Sequence, residues 1–148
     1  MRLLSRLAGW FSSIRPEEFM TLYTTTVGDT IYLPSDQGIG VCVHEHVHVR
    51  QSRKDMLYYV KYLLSSRART YYEVEAFCAS MEMEYYLTGA LSSYEQYISA
   101  LRQYECSVQD MDYARDKFIE AQDRIKKGVI ETPESVAAIE WLDEYSGR

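Results

Sequence analysis

The period of the apolar positions changes twice along the chain. In MRLLSRLAGWFSSIR, residues 1–15, apolar side chains stand at 3, 4, 7, 10, 11 and 14, the one-face spacing of an amphipathic helix that presents Leu7, Trp10, Phe11 and Ile14. Pro16 suits a first helical position, and EEFM follows as a short turn. The next stretch, TLYTTTVGDTIYLP, is rich in Thr, Tyr, Val and Ile, and Gly28-Asp29 interrupts it. That predicts a β-hairpin over 21–33 with glycine at the first turn position, closed by Pro34 and the loop SDQGIG. From Arg50 onward strand signals stop. RQSRKDMLYYVKYLLSS places apolar residues at 56, 57, 60, 63 and 64 on one helical face. After a loop at SSRART, a second helix runs through TYYEVEAFCASMEMEYYL and stops before Gly89. Ser92 and Glu95 form a capping box for YEQYISALRQY, and a further helix spans MDYARDKFIEAQDRIKK up to Gly128. Thr132-Pro133-Glu134 caps the last helix, ESVAAIEWLDEY, with Trp141 and Leu142 as its expected anchor. The expected architecture is α+β, mostly helical, with a short hairpin and about five helices in one domain, 1–148.

Between the hairpin and the helices lies VCVHEHVHVRQ, which contains all three histidines. Read as a strand, it sends His44, His46 and His48 to one side and Val41, Val43, Val47 and Val49 to the other. That alternation resembles the histidine-triad nucleotide hydrolases, but Glu45 stands where that pattern has an apolar residue, and Arg50 departs beyond it. Read as a helix, it puts His44 and His48 one turn apart, about 6 Å along the axis, with Glu45 adjacent and His46 turned away. This is H-E-x-x-H, in which two imidazoles reach one zinc ion and the glutamate is placed to accept a proton from water beside the metal. No Gly or Pro separates Val41 from the clear helix after Gln51, so one continuous helix is the simpler expectation.

Two zinc-binding histidines need a third protein ligand. TYYEVEAFCAS offers Glu73 on the neighbouring helix, with Glu75 in reserve. Glu73 and Ala76 share a face, and a small residue at 76 lets the two helices approach closely. HEHVHVRQ followed by YYEVEAF resembles the gluzincin metallopeptidases, most closely the short zincin-like proteins of phages and bacteria, which combine a hairpin, an HExxHxxQ helix and a later E-x-x-A helix. The resemblance spans roughly residues 21 to 80. It implies a minimal zincin-like domain with motif helices over 41–88 and supporting helices over 92–148. By position it makes His44, His48 and Glu73 ligands of Zn2+ and Glu45 the general base, with a peptide or protein substrate held along the hairpin. Related patterns often carry Asp or Asn after the alanine to support a zinc ligand. Here Phe77 stands there, which leaves that support unassigned.

Charge and composition narrow the alternatives. With 22 acidic against 16 basic side chains and a net charge of -6, the chain lacks a footprint for nucleic acid. Three widely spaced cysteines form no disulfide framework and read as buried reduced thiols, which favours a cytoplasmic, reducing compartment. In the first fifteen residues Arg6 and Trp10 spoil a signal peptide, and no run spans a bilayer. That apolar face is expected to pack on the domain or to meet a membrane surface or partner. The fourteen tyrosines read as packing residues with surface hydroxyls, and Glu75 and Glu82 as solvated helix charges. The rival functional reading is a non-enzymatic assembly protein, such as a virion component, that keeps zinc for stability.

Overall fold

The computed structural model describes residues 24–33 and 37–146. The amphipathic stretch 1–15, Pro16, EEFM and the first residues of the expected hairpin lie outside the described residues. Strand β1, Thr25–Val27, pairs antiparallel with β2, Thr30–Tyr32, in the register Thr26↔Ile31. Gly28 turns the chain at φ 60, a conformation that side chains with a Cβ resist. The hairpin lies on helix α1, Ile39–Lys54, and Asp29 at its tip accepts a hydrogen bond from Arg53 Nε at 2.8 Å.

VCVHEHVHVRQ is therefore helical, and the strand alternative is overturned. Its valines lower helix propensity by only tenths of a kcal/mol each. Val43 and Val47 are buried against Ala76, Ala79 and Met83, so packing decides. The expected continuity does not hold, because α1 stops at Lys54 and a separate helix α2, Tyr58–Leu64, begins after a break at Asp55. The Asp55 carboxylate accepts hydrogen bonds from the Leu57 amide, Lys61 Nζ and the Tyr72 hydroxyl, giving the backbone a local alternative to the helix. Those contacts, led by Lys61, hold its carboxyl below the usual range. The break also makes the described helices six rather than five.

Helix α3, Ser66–Thr88, starts within the stretch expected to be a loop, because the Ser65 side chain caps it by accepting from the Ala68 amide at 3.2 Å. It ends, as expected, on Gly89 at φ 69. Helix α4, Tyr94–Gln103, is capped by Ser93 and not Ser92. Ser92 instead gives both its amide and its hydroxyl to Glu84 on α3. A 3-10 turn at Val108–Asp110 leads into α5, Met111–Lys126, and α6, Pro133–Ser146, completes the bundle. None of the described helices is long and apolar enough to cross a membrane.

Helix α3 is the hub. One side, with Val74 and Met81, packs on Leu101 of α4 and on Met111, Phe118 and Ile125 of α5. The other, with Ala76, Ala79 and Met83, packs on Val43 and Val47 of α1 and on Ala138, Ile139 and Leu142 of α6. Apolar residues all round a helix require burial on more than one side, and α3 has it. Two expectations are corrected here. Glu82 is fully buried, not solvated, and its carboxylate accepts from the backbone amides of Glu131 and Thr132 and from Arg124. Trp141 is more than half exposed, so Leu142 anchors α6 with Ala138 and Ile139. The three cysteines are free thiols, but only Cys106 is fully buried, and burial pushes the Cys78 thiol up to about 12.

Candidate metal centre

One turn of α1 separates His44 from His48, and both rings face α3. Their Nε2 atoms lie 3.1 Å apart. Glu73 comes to the same point from α3, with Oε2 3.4 Å from His44 Nε2 and Oε1 3.6 Å from His48 Nε2. Ala76 and Ala79 are fully buried below it, and their small side chains permit this approach of the two helices. Taking one donor atom from each residue, all three lie within 4.8 Å of one another, and ligands held tetrahedrally at about 2.0–2.1 Å from zinc stand about 3.3 Å apart, so a small contraction would fit the group to a single ion. No fourth His, Cys, Asp or Glu joins this group among the described residues.

Glu73 supplies an independent test of fit. Its side chain is fully buried, and Oε2 has no hydrogen-bond partner. Burial opposes ionisation most strongly, yet the two imidazoles and the Tyr62 hydroxyl outweigh it and hold the carboxyl below its ordinary range. No lysine or arginine pairs with it among the described residues. A buried anion with an orphaned oxygen, facing two imidazoles, is a donor set that suits a bound cation.

Each donor is held from behind. Gln51 donates through Nε2 to the Tyr72 carbonyl at 3.0 Å and to Glu75 Oε2 at 2.7 Å. Its Oε1 therefore faces His48 Nδ1, 2.8 Å away, and must accept an N–H there. That tautomer leaves the His48 Nε2 lone pair directed at the donor cluster. Glu75 is in turn paired with Arg50 Nη1 at 2.8 Å, and Arg50 Nε donates to Glu134 on α6 at 2.6 Å. The reserve ligand Glu75 is thus not in the cluster but acts behind it. For His44, Ser80 Oγ lies 3.4 Å from Nδ1, and the Phe77 ring packs edge-on with centroids 4.8 Å apart. The support absent from position 77 comes one helical turn after Ala76.

Glu45, next in the chain to His44, is buried, and its Oε2 accepts from Thr26 Oγ1 of β1 at 2.6 Å. His46 is exposed and bonds back to the Cys42 carbonyl. Two tyrosines expected to show surface hydroxyls turn inward from α2. Tyr62 donates to Glu73 Oε1 at 2.5 Å, and the Tyr58 hydroxyl lies 3.1 Å from His48 Nδ1. Burial first, and then the Glu73 charge, raise both phenols far above their ordinary value, so both are neutral. Tyr104 is raised by the same two causes and by Glu45, and its hydroxyl has no hydrogen bond among the described residues. Gln51 had a sequence signal, standing three residues after His48. The tyrosines had none, because their inward turn depends on the break at Asp55. No protein-family model, curated protein or solved structure matches the chain, which leaves this side-chain geometry as the ground for a functional reading.

Proposed function

We propose that the protein is a zinc-dependent hydrolase of peptide bonds, with His44, His48 and Glu73 holding the metal and Glu45 as general base. The observation that carries the reading is the gathering of two imidazole Nε2 atoms around a buried carboxylate with one orphaned oxygen, with buried Glu45 next in the chain to His44. Three protein donors, with no fourth among the described residues, match the catalytic pattern, whereas structural zinc sites close with four. Bound there, zinc would supply Lewis acidity, acidifying water and polarising a substrate carbonyl. Thr26 fixes one oxygen of Glu45, so the other is presented in a constant orientation to take the proton of the attacking water and return it to the leaving amine. Gln51 keeps His48 in the ligating tautomer, and Tyr62 holds Oε1 of Glu73. Tyr104, a neutral phenol with no hydrogen bond among the described residues, is the candidate donor to a developing oxyanion. The two-stranded hairpin, tied to the general base through Thr26, offers an edge to which an extended peptide adds as a strand.

A second reading, a non-enzymatic assembly protein that uses zinc to clamp α1 to α3, is favoured by one observation. His44 and His48 are each only 6% exposed and Glu73 0%, and the cleft of about 680 Å³ lined by Arg50, Cys78 and Arg124 includes none of the three. One experiment separates the two readings. Purified protein should contain about one zinc per chain and hydrolyse an unfolded protein substrate. Glu45→Gln should keep the zinc and lower hydrolysis by at least about 100-fold. Unchanged hydrolysis in that variant, or none in the wild type with zinc in place, rejects the enzyme, and a metal-free protein rejects both readings.

A further inference from the structure

Helix α2 has two unlike faces. Tyr58 and Tyr62 point in at the metal centre, whereas Leu57, Val60, Leu63 and Leu64 point out, with Met56 almost wholly exposed just before them. On a helical wheel these four outward residues form one continuous stripe, bounded by Tyr59 on one flank and Lys61 on the other. So large an apolar stripe on a two-turn helix calls for an occupant.

The charge around it indicates which. Residues 53–67 hold Arg53, Lys54, Lys61 and Arg67 against Asp55 alone, in a chain whose net charge is -6. Arg53 and Lys61 pair with Asp29 and Asp55 at exposed positions, where such pairs are weak and exchange readily with other anions. Lys54 has no ion pair among the described residues. A second copy on this face would set these cations against their own images. The amphipathic stretch 1–15 would meet the same repulsion, because it carries three arginines and no acid. An anionic lipid surface answers both features, taking the apolar stripe into the headgroup boundary and the cations against phosphates.

We propose that the outer face of α2, Leu57, Val60, Leu63 and Leu64 with Met56, docks on an anionic lipid bilayer. The attachment is superficial, since none of the described helices can cross a membrane. The proposal does not depend on the metal reading.

Co-sedimentation of the full chain with vesicles of phosphatidylglycerol and phosphatidylcholine tests it. The wild type should bind these vesicles and bind pure phosphatidylcholine about tenfold less, with a similar loss in 0.5 M salt. The double variant Val60→Glu, Leu64→Glu should bind the anionic vesicles at least about tenfold less, with an unchanged helical circular dichroism signal. Three outcomes overturn the proposal. The wild type does not bind, or binding survives the double variant and is lost only on removing residues 1–15, or the stripe supports a dimer that the double variant dissociates while vesicle binding is absent.

Discussion

Replacing Gln51 by leucine removes the acceptor on His48 Nδ1 without touching a proposed ligand. Chelator competition should show zinc affinity lower by about 10–100-fold, the usual effect of losing such a partner. Gln51→Glu keeps the acceptor but replaces the amide that donates to Tyr72 and Glu75 with a carboxylate oxygen facing both, so it should recover only part of the affinity. If both variants bind zinc like the wild type, the tautomer of His48 is set by something other than Gln51. The cluster itself is legible in the sequence, because residues four apart on one helix must share a face, which pairs His44 with His48. Glu73 was readable for a related reason, since a carboxylate three before an alanine fits a close helix contact. The support behind the cluster was not. Ser80, Tyr58 and Tyr62 reach it through the depth of α3 in the core and the break before α2. A serine or tyrosine in a helix gives no local sign of which way it will be turned.

Elements differed from expectation where a polar side chain competed with the backbone. Asp55 ended α1 with no glycine or proline, and Ser65 started α3 inside an expected loop. Ser92 was drawn away from capping α4 by Glu84. Glu84 accepts from the Ser92 hydroxyl at 2.6 Å, the Tyr97 hydroxyl at 2.5 Å and the Ser92 amide at 3.1 Å, so it ties α3 to the start of α4. Burial raises its pKa, but these bonds outweigh burial and bring the folded value below 4.5. A folded value below the unfolded one means the folded chain binds fewer protons. The stabilisation is therefore whole above the unfolded value and is lost as pH falls through the folded one. Glu84→Gln should cost about 1–2 kcal/mol in urea denaturation at pH 7, and the gap to wild type should narrow below about pH 4. A gap that stays constant down to acid pH would mean the carboxylate charge contributes nothing.

At the scale of the molecule, polar contacts join the motif helices to the chain after Gly89. No residue after Gly89 joins the donor cluster among the described residues. Yet Glu134 on α6 closes the polar chain that runs through Arg50, Glu75 and Gln51 to His48, and the 131–132 backbone satisfies buried Glu82. Deleting residues 130–148 would leave Glu82 with Arg124 but without its two amide donors, a loss of about 1–3 kcal/mol for each. Thermal melting should record that loss, while zinc affinity per folded molecule falls less than in Gln51→Leu. Intact stability with lost zinc would mean that the tail acts chiefly on the site. The same arrangement fixes how the molecule breathes. Both apolar clusters grip α3, so neither can open without releasing it. Backbone amides in the middle of α3 should therefore exchange with deuterium only through global unfolding, while those of α2, packed on one side alone, exchange through local opening orders of magnitude sooner.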